Sequence, residues 1–358
     1  MESKIMDRPI VSVIIPVYNM EKYLARCLDS ILCDNKEYLD VIIVNDGSRD
    51  RSSEIGHLYE NKYSNVIRVI DKENGNYGTC VNRGLIEARG KYFRMLDADD
   101  WCDTEALNKF IEELKQCDAD MVLTISEDRD VNNLLQWRMK APELVKVKKV
   151  YQNYEFDGIK LEYNDLFCSH IVTYKTELLR SIKLHLQAGI SYTDNEYVFF
   201  PLDKVQTIVY FDFPVYQYFV GREGQTTDLK TMAKSVGQIM QVFNRLWEYF
   251  IIHKDKQMPS VANNQRILLG EMMWWVYRAA FSGANPRKMQ PIVDDIESRL
   301  QIDAGLRERV KRYKCYRYGL DLLEYYRKTG RYINHPITKS ILIRNRVLRY
   351  VRRKIGLR

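Results

Sequence analysis

The sequence predicts an α/β protein: a mainly parallel sheet flanked by helices, followed by a C-terminal helical region. Three observations carry this expectation. Up to about residue 125, short β-branched runs alternate with stretches of helical periodicity. Polar clusters follow the strands at Pro16-Val17-Tyr18-Asn19, Asp46-Gly47-Ser48 and Asp97-Ala98-Asp99, where ligands of parallel sheets bind. Beyond residue 230, long amphipathic stretches rich in Met and aromatic residues replace the strand signals.

Taken in order, Val11 to Pro16 (VSVIIP) is apolar and β-branched, as in a strand buried on both faces. Leu24, Cys27, Leu28, Ile31 and Leu32 recur at helical spacing. Val41 to Val44 predicts a second strand and Ser52 to Asn61 a second helix. The third strand is read at Val66 to Ile70, with a helix at Thr79 to Ala88. Tyr92 to Leu96 predicts a fourth strand, Glu105 to Gln116 a helix, and Met121 to Ile125 a fifth strand. Strands separated by helices of this length need crossover connections, hence parallel pairing. Further on, helices are expected over about 232–250, 264–281 and 291–300. In the first of these, Val236, Ile239, Met240, Phe243, Leu246, Trp247 and Phe250 share a face, which reads as core packing.

Seven scattered cysteines without a CxxC pair argue against a zinc site and for a reducing compartment. The charged and polar start predicts no signal peptide, and no run of 18 apolar residues predicts a membrane span. The net charge of +7 is concentrated at the end of the chain: 339–358 holds eight Lys or Arg and no acid. Ile343, Val347, Val351 and Ile355 repeat at i, i+4, with Arg346, Arg349 and Arg353 on another face. Such a helix can lie on an anionic bilayer; a solvated end or an RNA-binding tail is the alternative. The expectation is an anionic membrane surface as partner and no nucleic acid. No G-x-G-x-x-G follows the first strand, which disfavours a Rossmann dehydrogenase.

Asp97-Ala98-Asp99-Asp100-Trp101 follows the fourth strand and gathers negative charge at one sheet edge. Hard oxygen ligands suit Mg²⁺ or Mn²⁺, ions that usually accompany a phosphate-bearing substrate. The competing reading is a solvated turn that leads into the helix opened by Asp103-Thr104.

The runs VSVIIPVYN, VIIVNDGSRDRS, NGNYGTCVNRGL and MLDADDW, in this order over about residues 9–125, resemble the inverting glycosyltransferases of family 2. The likeness is to the bacterial envelope-polysaccharide type, with a nucleotide-diphospho-sugar transferase (A) fold. It implies transfer of a hexose from a nucleoside-diphospho-sugar, a UDP-sugar first of all, to a hydroxyl of a saccharide or lipid-linked saccharide acceptor. Pro16, Tyr18, Asn19 and Asp46 would then hold the nucleotide, Tyr18 offering a ring face and Asp46 an acceptor for the uracil N3 proton. Asp97 would meet the ribose or the metal's hydration shell, and Asp99 would bind the Mn²⁺ or Mg²⁺ that neutralises the leaving diphosphate. Arg222, between Gly221 and Gly224, could reach that diphosphate.

An inverting transfer also needs a base for the acceptor hydroxyl. The resemblance points to Asp194, with Glu196 as the second choice. Thr193 and Glu196 also match a Thr-x-x-Glu capping box. His170 reads as a hydrogen-bonded structural histidine, with a place facing the acceptor as the alternative. In one place the sequence departs from the family: its usual Ala-Arg-Asn is Cys80-Val81-Asn82 here, with an arginine at Arg83. Two positions turn a helical side chain by about 200°, so Arg83 does not replace the missing cation. The implied organisation is a catalytic domain over 1–230 (nucleotide-sugar half 1–126, acceptor half 127–230), a helical region over 231–338 and the basic tail over 339–358. The implied location is the cytoplasmic face of the cell membrane. A sugar-1-phosphate nucleotidyltransferase is the enzymatic alternative, although Pro16-Val17-Tyr18-Asn19-Met20 lacks its Gly-rich basic loop. A non-catalytic nucleotide-sugar or membrane-binding module is the alternative from another class.

Overall fold

The computed structural model describes residues 9–139, 145–158, 168–222, 225–282 and 285–354. The chain forms two compact units: Met1–Glu223 with Tyr249–Asn264, and Gly224–Glu248 with Gln265–Arg358.

The first unit starts with β1 (Val11–Val17), α1 (Leu24–Ser30), β2 (Leu39–Asn45), α2 (Ser52–Lys62), β3 (Ile67–Asp71), α3 (Tyr77–Glu87) and β4 (Tyr92–Met95). β5 (Trp101–Cys102), α4 (Thr104–Gln116), β6 (Met121–Leu123), β7 (Ser126–Arg129), β8 (Leu135–Arg138) and β9 (Val150–Gln152) follow. β10 (Val172–Lys175), α5 (Thr176–Ser181), α6 (Asp194–Phe199), β11 (Thr207–Tyr210) and β12 (Tyr216–Phe219) complete it. The main sheet has eight strands in the order β3-β2-β1-β4-β10-β6-β11-β9. β3, β2, β1 and β4 pair in parallel, as the strand–helix alternation predicts. β10 enters antiparallel between β4 and β6, and β9 lies antiparallel on β11, so the second half of the sheet is mixed. A smaller sheet has the order β5-β12-β7-β8.

The core of this unit packs α1 and α4 against β1 and β2, with Leu24, Leu28, Phe110, Ile111 and Leu114 buried beside Val13, Ile15, Val41 and Ile43. Each such side chain contributes about 1.5–3 kcal/mol by leaving water. The position of β10 follows from one buried cation. Arg94 on β4 donates to Thr173 Oγ1 (2.9 Å) on β10, to Thr124 Oγ1 (3.3 Å) and to the His170 carbonyl (2.6 Å). Burial lowers the guanidinium pKa, and three oxygen acceptors offset that cost. The same bonds deliver His170 to the sheet edge.

The helices after β12 are α7 (Leu229–Lys234), α8 (Val236–His253), α9 (Pro259–Phe281), α10 (Pro286–Arg299), α11 (Ala304–Val310), α12 (Leu322–Thr329) and α13 (Pro336–Lys354). In the second unit Val236, Ile239, Phe243 and Leu246 of α8 and Leu268, Met272, Met273 and Val276 of α9 are buried, so the Met and aromatic stripe is core. On α13, Thr338 and Leu342 are buried whereas Ile343, Val347 and Leu348 are exposed. Glu223, Gly224 and Ile355 lie outside the described residues. Among the described residues no helix is long and apolar enough to cross a membrane.

Candidate active site

The site lies at the carboxyl ends of β1, β2 and β4, and it has two sides. On the first, the loops after β1 and β2 are laced together. Asn19 N–H donates to Ser48 Oγ (3.0 Å), and Asn19 Oδ1 accepts from Arg49 N–H (2.8 Å). Met20 N–H donates to Ser52 Oγ (2.7 Å) and Glu21 N–H to Asp50 Oδ2 (3.0 Å). Asn19 adopts φ +55°, a left-handed conformation that asparagine tolerates well. Its side chain therefore frames the loop. Pro16, paired with Val44, is the last residue but one of the strand behind it. Tyr18 keeps 44% of its surface exposed, which leaves a ring available to a ligand.

Asp46 is buried, and its carboxylate accepts from Gly75 N–H (2.9 Å), Asn76 N–H (2.8 Å) and Lys72 Nζ (2.5 Å). The loop 72–76 is thus folded around this carboxylate. The Cys80 thiol also stands against this carboxylate. Lys72, which sequence reasoning passed over, also donates to Thr79 Oγ1 (2.9 Å). Val81 is buried, and Arg83 spends its charge on Glu87 at 2.9 Å, one turn along α3.

The second side is acidic. Asp97 accepts from Tyr77 OH (2.9 Å), and its backbone N–H donates to Tyr216 OH (3.3 Å). Burial, then the charge of Asp99, raises its pKa to about 7. Asp100 accepts from Tyr216 OH (2.6 Å) and from Phe219 N–H (2.7 Å), and burial holds its pKa well above the usual carboxylate range. His170 Nε2 lies 3.8 Å from Asp97 Oδ2. The imidazole stacks on Tyr216 (4.5 Å) and Tyr218 (4.9 Å). Burial, and secondarily Arg94, lowers its pKa to about 4, so it is neutral with a lone pair near pH 7. His170 thus stands beside Asp97 at the sheet edge. Its address was invisible because Arg94, 76 residues away, sets it.

Asp97, Asp100 and His170 present ligand atoms within 4.8 Å of one another. Two carboxylates and a neutral imidazole fit a hard or borderline divalent cation. Of the three, Asp100 commits both oxygens to protein donors; Asp97 and His170 keep 29% and 24% of their side chains exposed. Asp99 points elsewhere: its Oδ2 takes both Nε and Nη2 of Arg222, each at 2.7 Å. Arg222 thus meets the acidic motif directly.

Asp194 opens α6. Burial raises its pKa to about 6, against hydrogen bonds that lower it. Both Asp97 and Asp194 act on Tyr77, whose hydroxyl pKa their charges and burial push well up. The capping box is not formed: Thr193 makes no side-chain cap, and its Oγ1 is buried without a partner. Glu196 instead accepts from Gln187 N–H (2.8 Å) and Gln187 Nε2 (2.7 Å). The segment around Gln187 lies so close to α3 that a Cβ on Gly78 would stand 2.2 Å from the Gln187 carbonyl. Gly78 thus permits the contact that brings Asp194 beside Tyr77.

This sheet, with its acidic edge, has the nucleotide-diphospho-sugar transferase (A) fold. The chain matches glycosyl transferase family 2 over residues 12–181. It is 38% identical over 114 residues to the uncharacterized glycosyltransferase EpsJ of Bacillus subtilis (strain 168), covering 32% of this chain and 33% of that one. It is 35% identical over 132 residues to chondroitin synthase of Pasteurella multocida (strain Pm70), covering 37% and 13%. The chain thus spans a third or less of the length of these relatives. The crystal structure of S. aureus TarS 1-349 in complex with UDP-GlcNAc superposes with a TM-score of 0.51 at 18% identity, over 90% of this chain and 93% of that one. That likeness speaks for the fold.

Proposed function

We propose that the chain is a metal-dependent, inverting glycosyltransferase that moves a hexose from a nucleoside-diphospho-sugar, a UDP-sugar first, to a saccharide hydroxyl in cell-surface polysaccharide synthesis. The observation that carries this reading is the pair Asp97 and Asp194. Two half-buried carboxylates of raised pKa bear on one tyrosine at the ligand edge of a sheet whose residues match family 2.

In this reading Tyr18 lies against the base and Asp46 accepts its N–H. Asp97, Asp99 and His170 would hold Mn²⁺ or Mg²⁺, with Asp100 and Tyr216 fixing the loop behind them. Asp99 reaches that role when Arg222 leaves it, and the freed guanidinium is then a partner for diphosphate. The ion's chemistry is to neutralise the departing nucleoside diphosphate. Asp194 accepts the acceptor's proton as its oxygen forms the bond to the anomeric carbon. Near pH 7 a carboxylate of pKa about 6 is mostly ionised and still more basic than an ordinary aspartate.

The decisive experiment incubates the protein with a panel of nucleotide sugars and measures free nucleoside diphosphate with and without Mn²⁺. Metal-dependent release from one donor is expected. Release from none, with or without acceptor mixtures, overturns the reading.

A lipid-linked acceptor and a site of action on the inner face of the cell membrane belong to the same proposal. They are supported by α13, where exposed Ile343 and Val347 lie among Lys339, Arg344, Arg346 and Arg349. Because Leu342 is buried, substitution tests this better than truncation. Reversing Arg344, Arg346 and Arg349 to Glu should release the protein from anionic vesicles, each lost cation costing about 1 kcal/mol. Unchanged sedimentation with those vesicles would remove the membrane from the proposal.

A further inference from the structure

The acidic side of the site continues outward along the four-stranded sheet. Tyr216 and Tyr218 on β12 are two positions apart and so share a face. Both stack on His170, which makes that face the one turned to the site. The strand register carries the face further. Tyr218 pairs with Asp128 on β7, and Asp128 pairs with Trp137 on β8. Residues paired across neighbouring strands project to the same face. Tyr218, Asp128 and Trp137 therefore form one row, with Trp137 about 10 Å from Tyr218 at ordinary strand spacing.

Several features set Trp137 apart from a packing tryptophan. It sits on the edge strand β8 and is 42% exposed. On the opposite face Glu127 is held within the sheet, paired with Arg129 and with Arg138 at 3.3 Å. A register shift between Asp128 and Arg129 pairs Leu135 with Arg129, which takes Leu135 out of the row. The row thus alternates aromatic ring, carboxylate, aromatic ring.

We infer that Tyr218, Asp128 and Trp137 form a saccharide-binding ledge: an acceptor subsite that holds the sugar units behind the one that reacts. This rests on the transferase reading above and deepens it. A pyranose has a flat C–H face and a hydroxyl rim. Aromatic rings receive the first, and a carboxylate accepts hydrogen bonds from the second. The span from Tyr218 to Trp137 suits an oligosaccharide rather than one ring. Continuity with His170 and Asp97 places the bound chain's end beside the reacting groups. The carboxylate in mid-row favours a hydroxyl-rich ligand over an apolar protein face.

The test is a glycan array of bacterial surface oligosaccharides, probed with the full chain as wild type, Trp137→Ala and Trp137→Tyr. UDP affinity and Tm are measured on the same samples. Wild type should capture oligosaccharides of two or more units. Trp137→Ala should weaken capture about tenfold, the scale of one lost aromatic stack, and Trp137→Tyr should retain most of it. UDP affinity and Tm should not change, since Trp137 is exposed and remote from the nucleotide loops. Equal capture by wild type and Trp137→Ala overturns the ledge, and so does capture of no glycan by wild type. Failure of the parent reading shows separately: a wild type that binds no nucleotide while its glycan capture depends on Trp137 keeps the ledge and loses the transferase.

Discussion

The two sides of the site differ in how their charges are satisfied. On the nucleotide side, Asp46 has three protein donors, and the loops of Asn19 and Ser48 close on each other through reciprocal hydrogen bonds. On the acidic side four carboxylates, Asp97, Asp99, Asp100 and Asp194, gather; Tyr77, Tyr216 and the Phe219 N–H donate to two of them, Arg222 pairs with Asp99, Arg26 lies near Asp99 and Asp100, and Asn195 donates to Asp194. The first is complete as it stands, a preformed frame. In the second, burial first and neighbouring carboxylate charges after it raise the carboxyl pKa values. A frame that is already satisfied can select a ligand by shape; a site with uncompensated carboxylates is a demand for a cation or a proton.

The strongest break in this comparison is Asp99→Asn, which removes charge from the acidic side alone. Turnover should vanish while UDP binding by the frame persists, measured by nucleoside-diphosphate release and calorimetry. Near-wild-type activity in Mn²⁺ would take Asp99 out of the metal site.

Next comes Asp194→Asn. Transfer should fall by about 10²–10⁴ with donor affinity little changed. The sign of the pH dependence follows from the raised pKa. Asp194 is protonated below about pH 6 and cannot accept a proton, so kcat should fall as pH drops through that value. That acid limb should be missing from the variant's residual rate. A parallel loss of UDP affinity would make Asp194 a structural helix start instead.

A smaller effect is thermal. Raised carboxyl pKa values mean that the native state binds protons the unfolded chain has already lost, between about pH 4 and 7. Metal-free stability should therefore rise as pH falls through 7. Mn²⁺ should raise Tm more at pH 8 than at pH 5.5, because protons replace the cation at low pH. An equal shift at both values would mean that the ion binds elsewhere.

The smallest expected change tests the frame. Asn19→Ala removes one side-chain acceptor and should cost about 1 kcal/mol of stability. The pH profile of turnover should stay in place, because no group of the acidic side is touched. A shifted profile would show that the two sides are coupled.

The alternating apolar runs to residue 125 determine a parallel α/β half, since β-branched strands of this length bury only in a covered sheet. Asp46, Asp97 and Asp99 stand at strand ends for the same reason, so their shared edge was legible from sequence. The tertiary structure alone decided the rest. β10 reaches its antiparallel place between β4 and β6 after a long excursion, and the pairing is set by Arg94 bonding Thr173 and His170. No local pattern near His170 records that. Likewise Thr193-x-x-Glu196 reads as a cap by spacing, yet Glu196 is drawn to Gln187, because Gly78 lets that segment close on α3. Local periodicity is written in neighbouring residues; a site assembled from residues 76 or 104 positions apart is written only in the packing that brings them together.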